Sequence, residues 1–259
     1  MTEVYWLEQA DTDMPAENDW LSAGEMLRLN SMRVAKRRAD WRLGRWTAKR
    51  AVSIYLDLPS HAPALADIEI LPAPSGAPEV LLANHPAQVA ISISHRAGVA
   101  VCAVGPSGVA LGCDLEMIEP RSDAFVADYF TAEEQALVAR ASAAERSQLL
   151  ALLWSGKESA LKALAEGLRL DTRCVTVCPF EQGLGNDEDW WIDNPRRPLP
   201  SGYGLNRWRP LQARCTNGPV FHGWWQHTDS LLRTVVAAPP PVPPILLKNP
   251  ADQSAMPLP

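Results

Sequence analysis

Three short clusters combine residue types that can do chemistry. Gly112-Cys113-Asp114-Leu115-Glu116 closes a β-rich run. Residues i and i+2 of a strand project from one face, so Asp114 and Glu116 stand side by side, an unfavourable pairing unless a cation or water lies between them. Mg2+ is the natural candidate, because it takes hard oxygen ligands, keeps some waters and shares its shell with substrate phosphates. Two solvated acids at a strand end are the plainer reading of that spacing. In Trp154-Ser155-Gly156-Lys157-Glu158-Ser159-Ala160-Leu161-Lys162 a helical pattern puts Trp154, Glu158 and Lys162 in one row at i, i+4 and i+8. Glu158 can add a third carboxylate to the metal site, and Lys162 can reach a phosphate as a mobile point charge. A surface Glu-Lys pair worth about 0.2–0.5 kcal/mol fits the same row. Ser92-Ile93-Ser94-His95-Arg96-Ala97-Gly98 ends a strand at a turn, about twenty residues before Asp114, as on adjacent antiparallel strands. The His95 ring can donate to a phosphate oxygen there. His61, His85, His222 and His227 have no comparable context.

The elements that position these groups follow from periodicity and caps. A helix is expected over 20–29 after Asp19, and a second over 32–55, closed by Asp57-Leu58-Pro59. On the second, Arg38, Arg42, Arg45 and Lys49 stand at i, i+4, i+7 and i+11 and share a face. β-rich runs at 68–71, 80–82, 89–93, 99–104 and 109–115 read as a small antiparallel sheet. Capping boxes at Thr131-x-x-Glu134 and Ser142-x-x-Glu145 open further helices, the latter running to Gly167. Runs at 173–177, 190–192, 211–215, 221–225 and 231–237 supply a second sheet. The order, helices then strands twice over, predicts an α+β fold of two pseudo-two-fold lobes, each a small antiparallel sheet packed with a long helix. The N-terminal lobe spans 1–106 and the C-terminal lobe 107–238, joined near Gly105-Pro106-Ser107-Gly108; 239–259 is a Pro-rich, disordered tail. No repeat is visible at the level of residues.

At 259 residues, 47% hydrophobic and 21% charged, the chain has apolar material for one large core or two small ones. The acidic start MTEVYWLEQADTD has no signal-peptide pattern and no run has the length of a membrane span, which predicts a cytoplasmic protein with no membrane partner. Five scattered cysteines without a C-x-x-C pair make neither a disulfide framework nor a zinc site. The net charge of −6 conceals an asymmetry: positions 28–50 carry nine basic residues against Asp40, so that segment is +8 and the remainder −14. Such a segment calls for an anionic partner. Trp41 and Trp46, among those cations, can stack on a base, although apolar packing is the commoner role of tryptophan.

In their order and spacing, S-x-S-H, G-x-D-x-E and W-S-x-K-E-x-x-x-K, with GR-x-x-x-K in an N-terminal basic helix, resemble the 4'-phosphopantetheinyl transferases, specifically the two-lobed type that activates carrier proteins of peptide, polyketide and siderophore synthesis. The resemblance covers 28–170. It implies coenzyme A bound between the lobes and transfer of its phosphopantetheine, with Mg2+, to a serine of an apo acyl or peptidyl carrier protein. Adenosine 3',5'-bisphosphate is released. By the same resemblance Asp114, Glu116 and Glu158 hold the metal, while Lys162, Ser94 and His95 touch the phosphates. Arg45 and Lys49 belong to the basic helix, with Lys36, Arg37 or Arg38 near the 3'-phosphate. Glu158 is the first choice as the base that deprotonates the serine, directly or through water, and Glu116 the second; Lys162 and His95 assist. Some members carry lysine in a G-K-P segment where this chain has Gly76-Ala77-Pro78. A chain holding both lobes has no need to dimerise, so a monomer is expected. Two alternatives are a nucleic-acid-binding protein using the arginine-rich helix at 33–50, which the −14 remainder opposes, and a non-catalytic relative that binds carrier proteins, which the intact D-x-E and K-E-x-x-x-K oppose.

Overall fold

The computed structural model describes residues 1–166, 169–179 and 207–248. Its N-terminal half comprises β1 (Tyr5–Ala10), α1 (Ala23–Ser31), α2 (Ala35–Tyr55), the short α3 (Ala62–Leu65), and the strands β2 (Ile68–Pro72), β3 (Pro78–Leu82), β4 (His85–Pro86), β5 (Val89–Arg96) and β6 (Val99–Pro106). The C-terminal half follows with β7 (Ala110–Met117), α4 (Asp123–Tyr129), α5 (Ala132–Arg140), α6 (Ala143–Ala163), β8 (Val175–Cys178), β9 (Arg209–Cys215), β10 (Val220–Thr228) and β11 (Leu231–Ala238). A last short strand, β12 (Ile245–Leu246), returns to the first half. The sheets run β12-β1-β6-β5, β7-β11-β10-β9-β8 and β2-β3-β4, and all pairs but β1–β12 are antiparallel. This is the expected α+β class, with a 21-residue helix, α2 or α6, on each of the two larger sheets.

Several boundaries differ from expectation. α1 starts after Ser22, whose Oγ accepts from Glu25 N at 3.2 Å while Glu25 Oε2 accepts from Ser22 N at 3.0 Å. The cap is therefore Ser22 rather than Asp19, and Trp20 is core. α6 stops at Ala163, before Gly167, and Ala165 lies in the left-handed region at φ 57°. β1 was not foreseen, and the run at 190–192 lies outside the described residues.

The two halves repeat one buried constellation. In the first, Glu25 closes the capping box of α1, accepts from Ile70 N at 3.2 Å and pairs with Lys49 of α2. Lys49 also donates to the carbonyls of Trp20 at 2.9 Å and Leu65 at 3.1 Å. In the second, Glu134 closes the capping box of α5, accepts from Val177 N at 2.8 Å and pairs with Lys157 of α6 at 2.8 Å. Lys157 donates to the carbonyls of Thr172 and Val175. The two ammonium groups lie 5.9 and 5.7 Å from the ring centroids of Trp20 and Phe130. Both ion pairs are fully buried. The chain thus does hold a residue-level repeat, Trp46-x-x-Lys49 against Trp154-x-x-Lys157.

β5 and β7 bring the halves together: Cys113 N donates to Ser92 Oγ at 2.9 Å, and a shared cluster of Val4, Val101, Ala103, Leu111, Leu115 and Val235 fills the junction. Arg233 of β11 pairs with Glu8 of β1 across it, Nη2 to Oε1 2.6 Å. The Pro-rich segment is not a disordered tail as far as Lys248. Its β12 pairs with Tyr5 and Trp6 of β1, Leu247 N donates to Trp6 O at 2.8 Å, and Leu247 is buried in the N-terminal core. The physical reason is Ile245-Leu246-Leu247, an apolar run amid the prolines that adds to an otherwise open edge.

Candidate functional site

β7 alternates as its sequence predicts. Cys113 and Leu115 enter the junction cluster, and Asp114 and Glu116 point the other way, toward α6. Gly112 makes that approach possible: a Cβ there would collide with the Ser159 carbonyl of α6. With the helix so close, Lys162 Nζ donates to Asp114 Oδ1 at 2.8 Å and to Cys113 O at 3.0 Å. Ser94 Oγ donates to the same Oδ1 at 2.8 Å, while Oδ2 of Asp114 is buried without a partner. Glu116 Oε2 accepts from Arg121 at 3.0 Å, with Arg96 at 3.9 Å.

Electrostatics follows from this crowding. Burial, Asp114 and Glu116 raise Glu158 to about 7 against the opposing Lys162. Glu116 is raised by burial and Asp114, with Arg121 and Arg96 opposing. Burial alone would depress Lys162, but Asp114, Cys113 and Glu158 prevail and hold its proton more tightly. His95 is lowered, chiefly by desolvation of its ring, which favours the neutral form.

A cleft of about 1010 Å³ opens between the halves, walled by Trp41, Gly44 and Arg45 of α2, the β2–β3 loop, Ser92 and His95 of β5, and Lys162, Glu166 and Arg169 at and beyond the end of α6. Lys162 links the cleft to the carboxylates behind it. Among the described residues no three His, Cys, Asp or Glu side chains converge as ready metal ligands, since Asp114 is turned to Lys162 and Glu116 to Arg121. The donor chemistry nevertheless fits a hard cation: three carboxylates, two of them raised by burial and by neighbouring acids, and an orphaned buried oxygen on Asp114.

Of the residues expected to bind the coenzyme, Arg45, His95 and Lys162 line the cleft. Lys49 does not; it is buried against Glu25 and two carbonyls, because that helix face turns inward. Ser94 is engaged by Asp114. Lys36 is exposed and paired with Asp40 at 2.7 Å, Arg37 is exposed, and neither is on the cleft wall. Arg42 donates to the carbonyls of Pro15 and Ala16 at 3.0 and 3.1 Å, so Arg38 is the only exposed member of the four-cation row. Trp41 faces the cleft with the Arg45 guanidinium 5.1 Å from its ring centroid, whereas Trp46 is buried. Sequence reasoning missed Arg121, the partner of Glu116, and Arg169, neither of which belongs to a motif. Among the described residues, no helix is long and apolar enough to cross a membrane.

Residues 110–191 match the profile of ACPS, the 4'-phosphopantetheinyl transferase superfamily. No curated protein matches the chain. A solved structure, Helicobacter pylori holo-[acyl-carrier-protein] synthase (AcpS) in complex with coenzyme A, is similar at 20% identity and a TM-score of 0.32, over 40% of this chain and 99% of that one.

Proposed function

We propose that this chain, whose residues 110–191 match the 4'-phosphopantetheinyl transferase superfamily, moves the phosphopantetheine group of coenzyme A onto a serine hydroxyl of an apo acyl or peptidyl carrier protein. Adenosine 3',5'-bisphosphate is the other product. The observation that carries this reading is one arrangement: a cleft between two lobes whose wall holds His95 and Lys162, with Asp114, Glu116 and Glu158 immediately behind Lys162.

Asp114, Glu116 and Glu158 would hold Mg2+, which supplies positive charge to the diphosphate when bound. Lys162, fixed by Asp114 and the Cys113 carbonyl, presents a retained proton to the same group. His95 donates a ring N–H to a phosphate oxygen. The serine oxygen forms a bond to the β-phosphorus as the bond to the bridging oxygen breaks. The serine proton passes to Glu158, directly or through a water. We assign the protein to the two-lobed, monomeric type acting in the cytoplasm on carriers of peptide, polyketide and siderophore synthesis.

Incubating the protein with coenzyme A, Mg2+ and an apo carrier protein tests this. Mass spectrometry should find the phosphopantetheine arm on the carrier and no addition when Mg2+ is chelated. No addition to any of several carriers defeats the reading.

A further inference from the structure

Three cations line the cleft wall, and their partners differ. Arg45 has Glu25 at 3.9 Å, and Lys162 has Asp114 at 2.8 Å. Arg169 donates only to carbonyls, those of Glu166 at 3.1 Å, Ala165 at 3.3 Å and, across the cleft mouth, Ser75. Among the described residues it pairs with no carboxylate, Glu166 on the same wall included. A guanidinium held by neutral carbonyls keeps its full charge for an anion and can take one by two parallel N–H bonds.

The direction of the cleft says which anion. α6 contributes to its wall only from Lys162 onward, and Arg169 follows six residues after the helix ends at Ala163. The cleft therefore runs away from Glu158. With the reacting diphosphate at Lys162, the remaining charged group of coenzyme A is its 3'-phosphate, and the pantetheine arm is uncharged. Lys36, Arg37 and Arg38, the residues expected to meet that phosphate, are all off the cleft wall. We infer that Arg169, swung from the Ser75 carbonyl, binds the 3'-phosphate and is a specificity residue of the site. The inference rests on the coenzyme A reading.

Calorimetric titration of the full chain with coenzyme A and with 3'-dephospho-coenzyme A, in Mg2+ and without carrier, separates the two. Wild type should prefer coenzyme A, and Arg169→Ala should shrink the preference at least about tenfold by weakening coenzyme A alone. Arg169→Gln, which keeps a donor but no charge, should behave like the alanine variant. An unchanged ratio, or an equal loss for both compounds as from a broken strap to the Ser75 loop, overturns the Arg169 assignment alone. A wild-type protein that binds neither compound overturns the coenzyme reading with it.

Discussion

Glu158 sits beside two other acids and one ammonium, and its pKa near 7 is set by burial first and by Asp114 and Glu116 after it. An acid that holds its proton more tightly when folded than when unfolded penalises the fold as it ionises. That penalty is absent below the ordinary value of 4.5 and complete above about 7. Glu158→Gln removes the titrating group, so without Mg2+ the variant should melt above wild type at pH 8, with the difference closing as pH falls toward 4.5. Thermal unfolding at several pH values decides it, and a difference independent of pH means the carboxyl titrates in the ordinary range. The same substitution should abolish phosphopantetheine transfer while leaving much of the coenzyme affinity; unchanged turnover removes Glu158 as the base. Its place in a row with Lys162 was legible from i, i+4 spacing, as was the shared face of Asp114 and Glu116 from strand alternation. Which donor each acid meets was not, because Arg121 and Ser94 arrive through turns and a neighbouring strand.

α2 and α6 occupy equivalent positions, and each carries a buried lysine paired to the closing acid of a capping box. Removing one partner of such a pair strands a charge in the core and typically costs about 3–5 kcal/mol. Lys157→Met and Lys49→Met should each lose stability of that order in urea unfolding. Combining each with its Glu134→Gln or Glu25→Gln partner should cost less than the sum of the single changes, since the stranded charge is gone. A Lys49→Met protein as stable as wild type but unable to bind coenzyme A would restore Lys49 to the binding site. Periodicity explains why this was misread. The row Arg38, Arg42, Arg45, Lys49 identifies residues that share a face, but not whether that face meets water or the Glu25 carboxylate distant in sequence. Most strands were legible because Gly, Pro and Asn bracket them. β1 was not, because only Leu7 in it is buried and its alternation is faint. The Glu134 capping box was readable locally, whereas its bond to Lys157 closes over a long stretch of chain.

At the scale of the molecule, the cleft exists only while both halves hold their relative positions, and three features fix them: the β5–β7 contact with its apolar cluster, the Arg233–Glu8 pair, and the C-terminal return onto β1. The net charge hid a basic segment whose cations the fold divides between its interior and its outer surface. Arg42 ties down carbonyls, Lys49 is buried, and Arg45 faces the cleft, which leaves the exposed Arg28, Arg33, Lys36, Arg37 and Arg38 on the outer surface. The C-terminal return is the feature that composition hid most completely, since Pro-rich sequence reads as tail while a few apolar residues within it pair with an edge strand. Deleting residues 239–259 removes β12, the Val242, Ile245 and Leu247 amide bonds and the buried Leu247 side chain from the N-terminal core. Loss of one buried leucine alone costs about 2 kcal/mol or more, which for a chain of this size lowers the melting temperature by at least roughly 4 °C. The truncated protein should melt lower by that amount, and limited proteolysis should cut its N-terminal half first. Leu247→Ala in the full-length chain should reproduce part of the loss. If the truncated chain melts with the intact one, β12 rests on β1 without stabilising it and the lobes are held by β5, β7 and the Arg233–Glu8 pair alone.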